Sequence, residues 1–299
     1  MKQVEIKGII VPIVTPMHSD ESINVEELER QVDRMIENGV DAIFCFGTNG
    51  EGYILNKEDK KLVLETVINK TAGRVPVYAG TGCISTKETI EQSLMAKELG
   101  ADVLSIITPS FAKASQHELY EHYKAVAEAV DMPIVLYNIP ARTGNALEPE
   151  TVKKLAEIDN IVGAKDSSGN WDNLKAYIDL TRDMDFAVLS GNDSLILSSL
   201  KEGGKGGIAG CANVYPQTLS GIYDSFVAGE LEKAQQLQDS IAPFRAVFKY
   251  GNPNTVVKKA VNLLGYPVGE CRAPFNYLPE EGLEALKKVL EEDKNNGMK

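Results

Sequence analysis

The chain repeats one pattern: a short apolar run followed by a longer segment whose apolar residues are spaced as on one face of a helix. Eight such runs occur in the first two thirds of the 299 residues. Because the runs are short, rich in β-branched residues and nearly continuous in apolar character, they are typical of strands buried on both faces. The runs cover residues 8–15, 42–47, 75–80, 103–108, 133–138, 161–165, 187–191 and 207–212. Alternation of strand and helix indicates an α/β protein with a parallel sheet.

The segments between the runs are predicted to be amphipathic helices. After the first run, one helical face carries Val25, Leu28, Val32, Met35 and Ile36. The opposite face, which we expect to contact solvent, carries Glu26, Glu27, Glu29 and Arg30. Such a division of apolar and polar residues is typical of helices that cover a sheet.

Eight strand-helix units match the closed (β/α)₈ TIM barrel, which we predict for residues 1–215. The alternative is a doubly wound open sheet, which usually has fewer strands and a glycine-rich turn after the first one. Here the first run ends in the residues VPIVTP, at positions 11–16. This ending favours the barrel.

Residues 216–299 continue without strand patterns, and their apolar residues recur at helical spacing. No proline-rich or serine-rich linker separates them from the preceding part. We therefore predict a C-terminal helical region that packs on the barrel or on a partner subunit.

Composition excludes several classes of function. The net charge of −12 disfavours nucleic acids and anionic lipids as partners. Four scattered cysteines without a CxxC pair indicate neither a zinc site nor disulfides, so we expect reduced thiols. No stretch approaches the roughly 18 apolar residues of a membrane span, and the N-terminus lacks the pattern of a secretory leader. We expect a cytoplasmic protein that acts on small molecules.

Lys165 ends the apolar sixth run, where an amine is costly to bury unless it has a partner or a chemical task. A lysine amine has an ordinary pKa of about 10.4, and an apolar pocket disfavours the ammonium form and frees the lone pair for attack on a carbonyl. Lys165 is thus a candidate Schiff-base nucleophile. The alternative is a lysine at a strand end that pairs with a neighbouring acid such as Asp166.

Other polar residues follow the second and fifth runs, where a barrel has its active site. Gly47 and Gly50 flank Thr48 in a turn whose amides could hold a carboxylate, although an ordinary turn has the same composition. Tyr137 lies among apolar neighbours and could carry protons or simply pack in the core. Arg142 could bind a carboxylate or project into solvent.

Four motifs give the chain a resemblance to a known family. They are GTNGE at residues 47–51, YNIP at 137–140, GAKD at 163–166 and GND at 191–193. In this order and at these strand ends, they resemble the dihydrodipicolinate synthase and N-acetylneuraminate lyase family of pyruvate aldolases. The resemblance extends over nearly the whole chain.

The resemblance implies a Schiff base between pyruvate and Lys165, with Tyr137 as the proton-transferring phenol and Thr48 as its link to a relay. The catalytic residues would be these three. No metal and no cofactor would be needed, because the protonated imine itself withdraws electrons. A homotetramer, built as a dimer of dimers, is also implied.

The resemblance further implies that the amides of Thr48 and Asn49 hold the pyruvate carboxylate, and Arg142 would bind a second carboxylate. Three more residues are expected to line the substrate pocket, namely Gly191, Asn192 and Ile208.

The aldehyde partner is less defined, because the chain departs from each subgroup of the family. Phe111 stands where the synthases have a tyrosine of the proton relay, and Asn49 replaces a threonine. We therefore favour cleavage or synthesis of a 4-hydroxy-2-oxo or 2-keto-3-deoxy sugar acid. The alternative is 4-hydroxy-tetrahydrodipicolinate synthesis from pyruvate and aspartate semialdehyde, and a second alternative is a binding or sensor protein without turnover.

Two further patterns receive no functional role. The glycine-rich residues 203–207 lack the spacing of a phosphate-binding loop and are expected to lead into the eighth strand. His117 and His122 lie on different faces of one predicted helix, where we expect a solvated surface and no metal site.

Overall fold

The computed structural model describes residues 4–298, and within them eight strands close into a parallel barrel in chain order, β1 to β8. The predicted α/β barrel is confirmed. The strands are β1 (Gly8–Pro12), β2 (Ala42–Cys45), β3 (Val77–Gly80), β4 (Val103–Ile107), β5 (Ile134–Asn138), β6 (Ile161–Asp166), β7 (Ala187–Ser190) and β8 (Gly206–Ile208).

Thirteen α-helices lie in the described part of the chain, and three short 3₁₀ turns accompany them. The helices are α1 (Val25–Glu37), α2 (Lys57–Thr71), α3 (Thr86–Leu99), α4 (Gln116–Ala129), α5 (Pro140–Thr143), α6 (Pro149–Leu155), α7 (Trp171–Thr181), α8 (Ile196–Glu202), α9 (Pro216–Val227), α10 (Leu231–Ser240), α11 (Ala242–Ala246), α12 (Pro253–Leu263) and α13 (Glu280–Asn295). The 3₁₀ turns are Asp193–Leu195, Gly210–Asn213 and Val247–Tyr250. Every helix within residues 4–298 is too short or too polar to span a lipid bilayer.

Each observed strand overlaps one predicted run, but the first and last runs extend beyond their strands. β8 ends at Ile208, whereas its run continued to residue 212. The following residues Cys211 and Ala212 are fully buried in a 3₁₀ turn. Since apolar character continues through that turn, hydrophobicity alone does not mark where the strand ends.

The contacts divide the chain into two compact units. The first comprises residues 4–8 and 76–208, with β3 to β8 and α3 to α8. The second comprises residues 9–75 and 209–298, with most of β1, with β2, and with the helices α1, α2 and α9 to α13. The sequence-based boundary at residue 215 stays a prediction.

Within the second unit, Asn213 links the segment after β8 to β1. Its side-chain oxygen accepts from the amide of Val14 at 2.9 Å, and its nitrogen donates to the carbonyl of Pro12 at 3.0 Å. Arg34 of α1 donates to the carbonyls of Asn213 and Val214 at 2.7 and 3.0 Å. These bonds satisfy buried backbone groups at the entrance to the C-terminal helices.

Two residues predicted on solvated helix faces are buried. Glu27 in α1 is 2% exposed and accepts a hydrogen bond from Gln31 at 2.7 Å. His122 in α4 is 6% exposed and lies 2.9 Å from the Thr86 hydroxyl. His117 is exposed, as predicted. The prediction for His122 is wrong because the buried stripe of α4 is wider than its apolar residues indicate.

Candidate active site

Lys165 lies in β6, where its side chain is almost fully buried at 4% exposure. Its register neighbours are Tyr137 in β5 and Leu189 in β7. The amine nitrogen lies over the Tyr137 ring, 3.8 Å from the ring centroid. The fold therefore brings together the two residues that the sequence analysis proposed as nucleophile and proton carrier.

Gly191 leaves the space through which the Lys165 side chain extends. A Cβ at this position would lie 2.7 Å from Cε and 3.0 Å from Cγ of Lys165, and would collide with the Ser167 hydroxyl. Its amide donates to the Asp166 carbonyl at 2.8 Å, which holds the loop after β7 against the end of β6. Gly191 thus lies beside the candidate nucleophile because no other residue would fit there.

The Asp166 carboxylate has structural partners of its own. It accepts from the Asn138 side chain at 2.8 Å, and from the amide and hydroxyl of Ser168 at 3.1 and 2.8 Å. These bonds join the ends of β5 and β6. The carboxylate thereby fixes the relative positions of the strands that carry Tyr137 and Lys165.

Ser167 is a residue that the sequence analysis missed. Its hydroxyl is buried and has no hydrogen-bond partner among residues 4–298. The Ser167 hydroxyl and the Lys165 side chain both border the space beside Gly191. A buried hydroxyl without a partner is unusual and can bond to a bound molecule. The signal in the sequence was its position two residues after Lys165, next to a buried strand end.

Three more predicted residues belong to the same unit as Lys165. Arg142 is exposed on the short helix α5. Asn192 is half-buried, and its oxygen accepts from the amide and hydroxyl of Ser194 at 3.2 and 2.8 Å. Ile208 is 1% exposed at the end of β8. Each follows, or stands at, the carboxyl end of a strand.

Thr48 and Asn49 lie in the second unit, in the turn that follows β2. A Cβ at Gly50 would lie 2.8 Å from the Ile13 carbonyl, so only glycine fits at this corner. The Gly50 carbonyl accepts from the Thr15 hydroxyl at 2.7 Å. The turn is therefore packed directly against the chain that leaves β1.

The Asn49 amide fits against Gly210, also in the second unit. A Cβ at residue 210 would lie 2.7 Å from the amide nitrogen of Asn49. Because Gly210 has no side chain, the Asn49 amide can occupy the space beside it. Because any larger residue would compete for this space, Asn49 and Gly210 form one complementary pair.

None of the four cysteines forms a disulfide in the described part of the chain, and Cys45, Cys211 and Cys271 are buried. Burial raises the pKa of the Cys271 thiol to about 12. A thiol with so high a pKa is a poor nucleophile near neutral pH. Within residues 4–298, no group of three or more His, Cys, Asp or Glu side chains could hold a metal ion.

Known proteins resemble this chain over nearly its whole length. The dihydrodipicolinate synthetase family model matches residues 5–293. A 4-hydroxy-tetrahydrodipicolinate synthase of Methanoculleus marisnigri is 41% identical over 287 residues, which cover 95% of this chain and 98% of that protein.

Solved structures in the same family have the same fold. The dihydrodipicolinate synthase of Acinetobacter baumannii, described as chloride-inhibited and solved with pyruvate, superposes with a TM-score of 0.93 at 37% identity, covering 99% of this chain and 100% of that one. YagE from E. coli K12, a prophage protein solved with pyruvate, superposes with a TM-score of 0.93 at 32% identity, covering 97% and 99%. The chain therefore belongs to the dihydrodipicolinate synthetase family.

Proposed function

We propose that this protein makes or breaks carbon–carbon bonds through an imine between Lys165 and a 2-oxo acid of the pyruvate type. As a member of this family, the protein is a carbon–carbon lyase or synthase. One observation carries the assignment of the nucleophile: a buried lysine lies over a tyrosine ring, in a space kept open by Gly191.

The chemistry proceeds in balanced steps. The Lys165 amine attacks the ketone carbon, and loss of water gives the iminium ion. The iminium group withdraws electrons from C3 of the 2-oxo acid. C3 therefore loses a proton, and the iminium ion is converted into an enamine. The enamine attacks an aldehyde, the aldehyde oxygen takes up a proton, and water releases the product and regenerates the amine. In the reverse direction the same steps cleave a 4-hydroxy-2-oxo acid. No metal or cofactor is required, since the iminium is the electron sink.

Tyr137 is proposed as the group that moves these protons. Its ring lies under the amine, so its phenol belongs to the same site. Thr48 would connect the phenol to a proton relay, as the family resemblance implies. The amides of Thr48 and Asn49 would hold the pyruvate carboxylate, while Gly191, Asn192 and Ile208 would line the pocket.

Two aldehyde partners are supported by different observations. The leading candidate is a sugar-derived aldehyde, giving a 4-hydroxy-2-oxo or 2-keto-3-deoxy sugar acid. Phe111 provides no hydroxyl, and its ring is 97% exposed in this chain. The Asn49 amide can also bond to sugar hydroxyls.

The second candidate is aspartate semialdehyde, whose carboxylate Arg142 would bind. The name of the Methanoculleus marisnigri relative supports this partner. Comparing turnover with aspartate semialdehyde and with a panel of sugar-derived aldehydes, each with pyruvate, separates the two candidates. An absence of turnover with every aldehyde would support a protein that only binds pyruvate.

The imine itself is tested by reduction with borohydride in the presence of pyruvate. Mass spectrometry should find the adduct at Lys165, and Lys165→Arg should abolish both the adduct and turnover. Lys175→Arg is the matched control, because Lys175 is an exposed lysine paired with Asp179 at 2.8 Å. An adduct on another lysine, or turnover that survives in Lys165→Arg, contradicts the proposal.

We further propose a cytoplasmic homotetramer, built as a dimer of dimers. The exposed Ile84 and Phe111, at 63% and 97% exposure, support a subunit contact near the loops after β3 and β4. Sedimentation equilibrium should give four times the chain mass, and Phe111→Asp should reduce the assembled fraction.

A further inference from the structure

The turn that follows β2 has a backbone conformation that its sequence does not favour. Phe46 and Glu51, which flank residues 47–50, have φ angles of 67° and 57°. Such left-handed angles are unfavourable for residues other than glycine and persist when surrounding contacts hold them. The bonds within the turn are long, at 3.2 Å from the Glu51 amide to the Thr48 carbonyl and 3.4 Å from the Gly52 amide to the Gly47 carbonyl. The turn therefore needs support from outside.

That support comes from the C-terminal part of the chain, through the Glu51 carboxylate. One carboxylate oxygen accepts from the Lys258 amine of α12 at 2.7 Å. The other accepts from the backbone amide of Arg272 at 2.8 Å. The side chains of Glu51 and Lys258 are 0% and 1% exposed. The carboxylate is thus held at both oxygens in a site without solvent.

The groups that hold Glu51 are themselves fixed. Lys258 donates a second bond to the Glu270 carbonyl at 2.8 Å. The Arg272 guanidinium bonds to Asp59 at 2.9 Å and to the Glu21 carbonyl at 2.8 Å. Because these bonds fasten the segment after α12 at several points, the partners of Glu51 form a rigid support.

A buried ion pair is a costly way to stabilise a fold. Desolvation of two charges offsets much of their attraction, and apolar residues of similar volume often stabilise as well or better. What a charge pair adds is a defined geometry, because each group must lie within hydrogen-bonding distance of the other. In this protein, the geometry of the pair sets the conformation of Glu51, which lies two positions from Asn49 in the sequence.

We infer that the Glu51–Lys258 pair positions the turn at residues 47–51 for binding the carboxylate of the 2-oxo acid. This inference rests on the proposed function, in which Thr48 and Asn49 hold that carboxylate. Glu51 and Lys258 are positioning residues, and neither is assigned contact with the substrate. Lys258, which is remote in sequence from every strand end, thereby becomes part of the binding machinery.

The test compares the wild type with Glu51→Gln, Lys258→Met and the double variant. The double variant removes both charges, so it leaves no buried charge without a partner and is expected to fold. We expect the KM for pyruvate to rise at least about tenfold in the double variant while kcat falls much less, because a displaced turn weakens binding without touching Lys165. Lys259→Met is the matched control, because Lys259 follows directly in α12 and pairs with Glu270 at the surface.

A second measurement does not depend on turnover. Hydrogen exchange of the amides of Glu51 and Gly52 should be faster in the double variant than in the wild type, and unchanged in Lys259→Met. A double variant that folds and keeps both the wild-type KM for pyruvate and the wild-type exchange overturns the inference. If the double variant does not fold, the same two measurements, the KM for pyruvate and amide hydrogen exchange, are made on Glu51→Gln, which replaces a single oxygen by nitrogen. Wild-type values of both in this variant overturn the inference.

Failure of the proposed function has a different signature. If wild-type protein yields no borohydride adduct at Lys165, the imine proposal fails, whatever the variants do. If the wild type forms the adduct and the folded double variant has an unchanged KM, only the positioning inference fails.

Discussion

At the scale of residues, the structure buries two lysines in different surroundings. Lys258 is paired with a carboxylate at 2.7 Å and bonded to a carbonyl at 2.8 Å. Lys165 is similarly buried, but its amine lies over an aromatic ring. The two amines are thus both buried, but they differ in the side chain that each one faces.

The space beside Lys165 leads to the first prediction. Gly191→Ala should abolish most of the borohydride-trapped adduct with pyruvate, because the new methyl group would displace Cε of Lys165. We expect at least a hundredfold loss in kcat/KM, since misplacement by about 1 Å can cost that much. The adduct is measured by mass spectrometry and the rate by single turnover.

Gly221→Ala in α9 is the control for crowding in general. A Cβ there would lie 2.9 Å from the end of the Leu237 side chain. That side chain can move, so activity should be retained. Equal losses in the two variants would show that Gly191 has no special role beside Lys165.

The buried His122 leads to a prediction on pH. Burial lowers its pKa from 6.5 to about 4. Between these values the unfolded chain binds a proton that the folded chain does not, so the folded state loses stability as the pH falls. The contribution of neutral His122 to the free energy of unfolding is complete above about pH 6.5. About 2 kcal/mol of this contribution should be lost between pH 7.5 and pH 5.

Urea unfolding at pH 7.5 and pH 5 measures this difference. His122→Asn, whose amide can still bond to the Thr86 hydroxyl, should lose about 2 kcal/mol less than the wild type over the same interval. His117→Asn, at an exposed position of the same helix, should behave as the wild type does. An identical pH dependence for wild type and His122→Asn would refute the assignment.

At the scale of elements, local side chains set where helices begin. Ser115 caps α4: its hydroxyl accepts from the Glu118 amide at 3.3 Å, and the Glu118 carboxylate accepts from the Ser115 amide at 2.7 Å. The Ser115 hydroxyl also donates to the Glu118 carboxylate at 2.7 Å, and this bond, together with the one from the Ser115 amide, lowers the pKa of Glu118. The same arrangement joins Asn56 and Asp59 at the start of α2. Both helices follow loops at carboxyl ends of strands, so capping also fixes where those loops end.

Ser115→Ala should lower the free energy of unfolding by about 1 kcal/mol, because an orphan helix amide loses its acceptor. Ser115→Asn, which can also accept that bond, should stay close to the wild type. Chemical denaturation measures both variants. If alanine and asparagine gave equal stabilities, the cap would contribute nothing measurable.

At the scale of the whole molecule, the first and last strands of the barrel each contain a glycine, and these two glycines lie in close contact. Gly206 in β8 has a φ of 155°, and a Cβ there would collide with the Gly8 carbonyl and lie 2.7 Å from the Gly8 nitrogen. Two backbones approach too closely for any side chain to lie between them.

Gly206→Ala should therefore cost about 3 kcal/mol or more of stability, by overpacking and backbone strain together. Gly73→Ala is the matched control, with a φ of 73° and no atom within 4 Å of the added Cβ. It should lose only about 1–2 kcal/mol, through the left-handed backbone. Similar losses in both would show that the close approach to Gly8 is unimportant. Thermal and urea unfolding measure the difference.

The sequence by itself determined the repeating strand-helix pattern and the candidate nucleophile. Strand runs are visible because burial on both faces requires continuous apolar residues, and Lys165 is visible because an amine is out of place among them. Both signals are local. The family resemblance pointed in the same direction and named the residues expected around the substrate.

Only the tertiary structure decided which distant groups meet. Glu51 and Lys258 are 207 positions apart, and neither has a neighbour in sequence that predicts their pairing. The burial of His122, the end of β8 at Ile208 and the fit of Asn49 against Gly210 likewise depend on what packs beside each residue. The physical reason is the same in every case: burial and hydrogen bonding depend on three-dimensional neighbours, whereas periodicity along the chain reports only which face of an element is apolar.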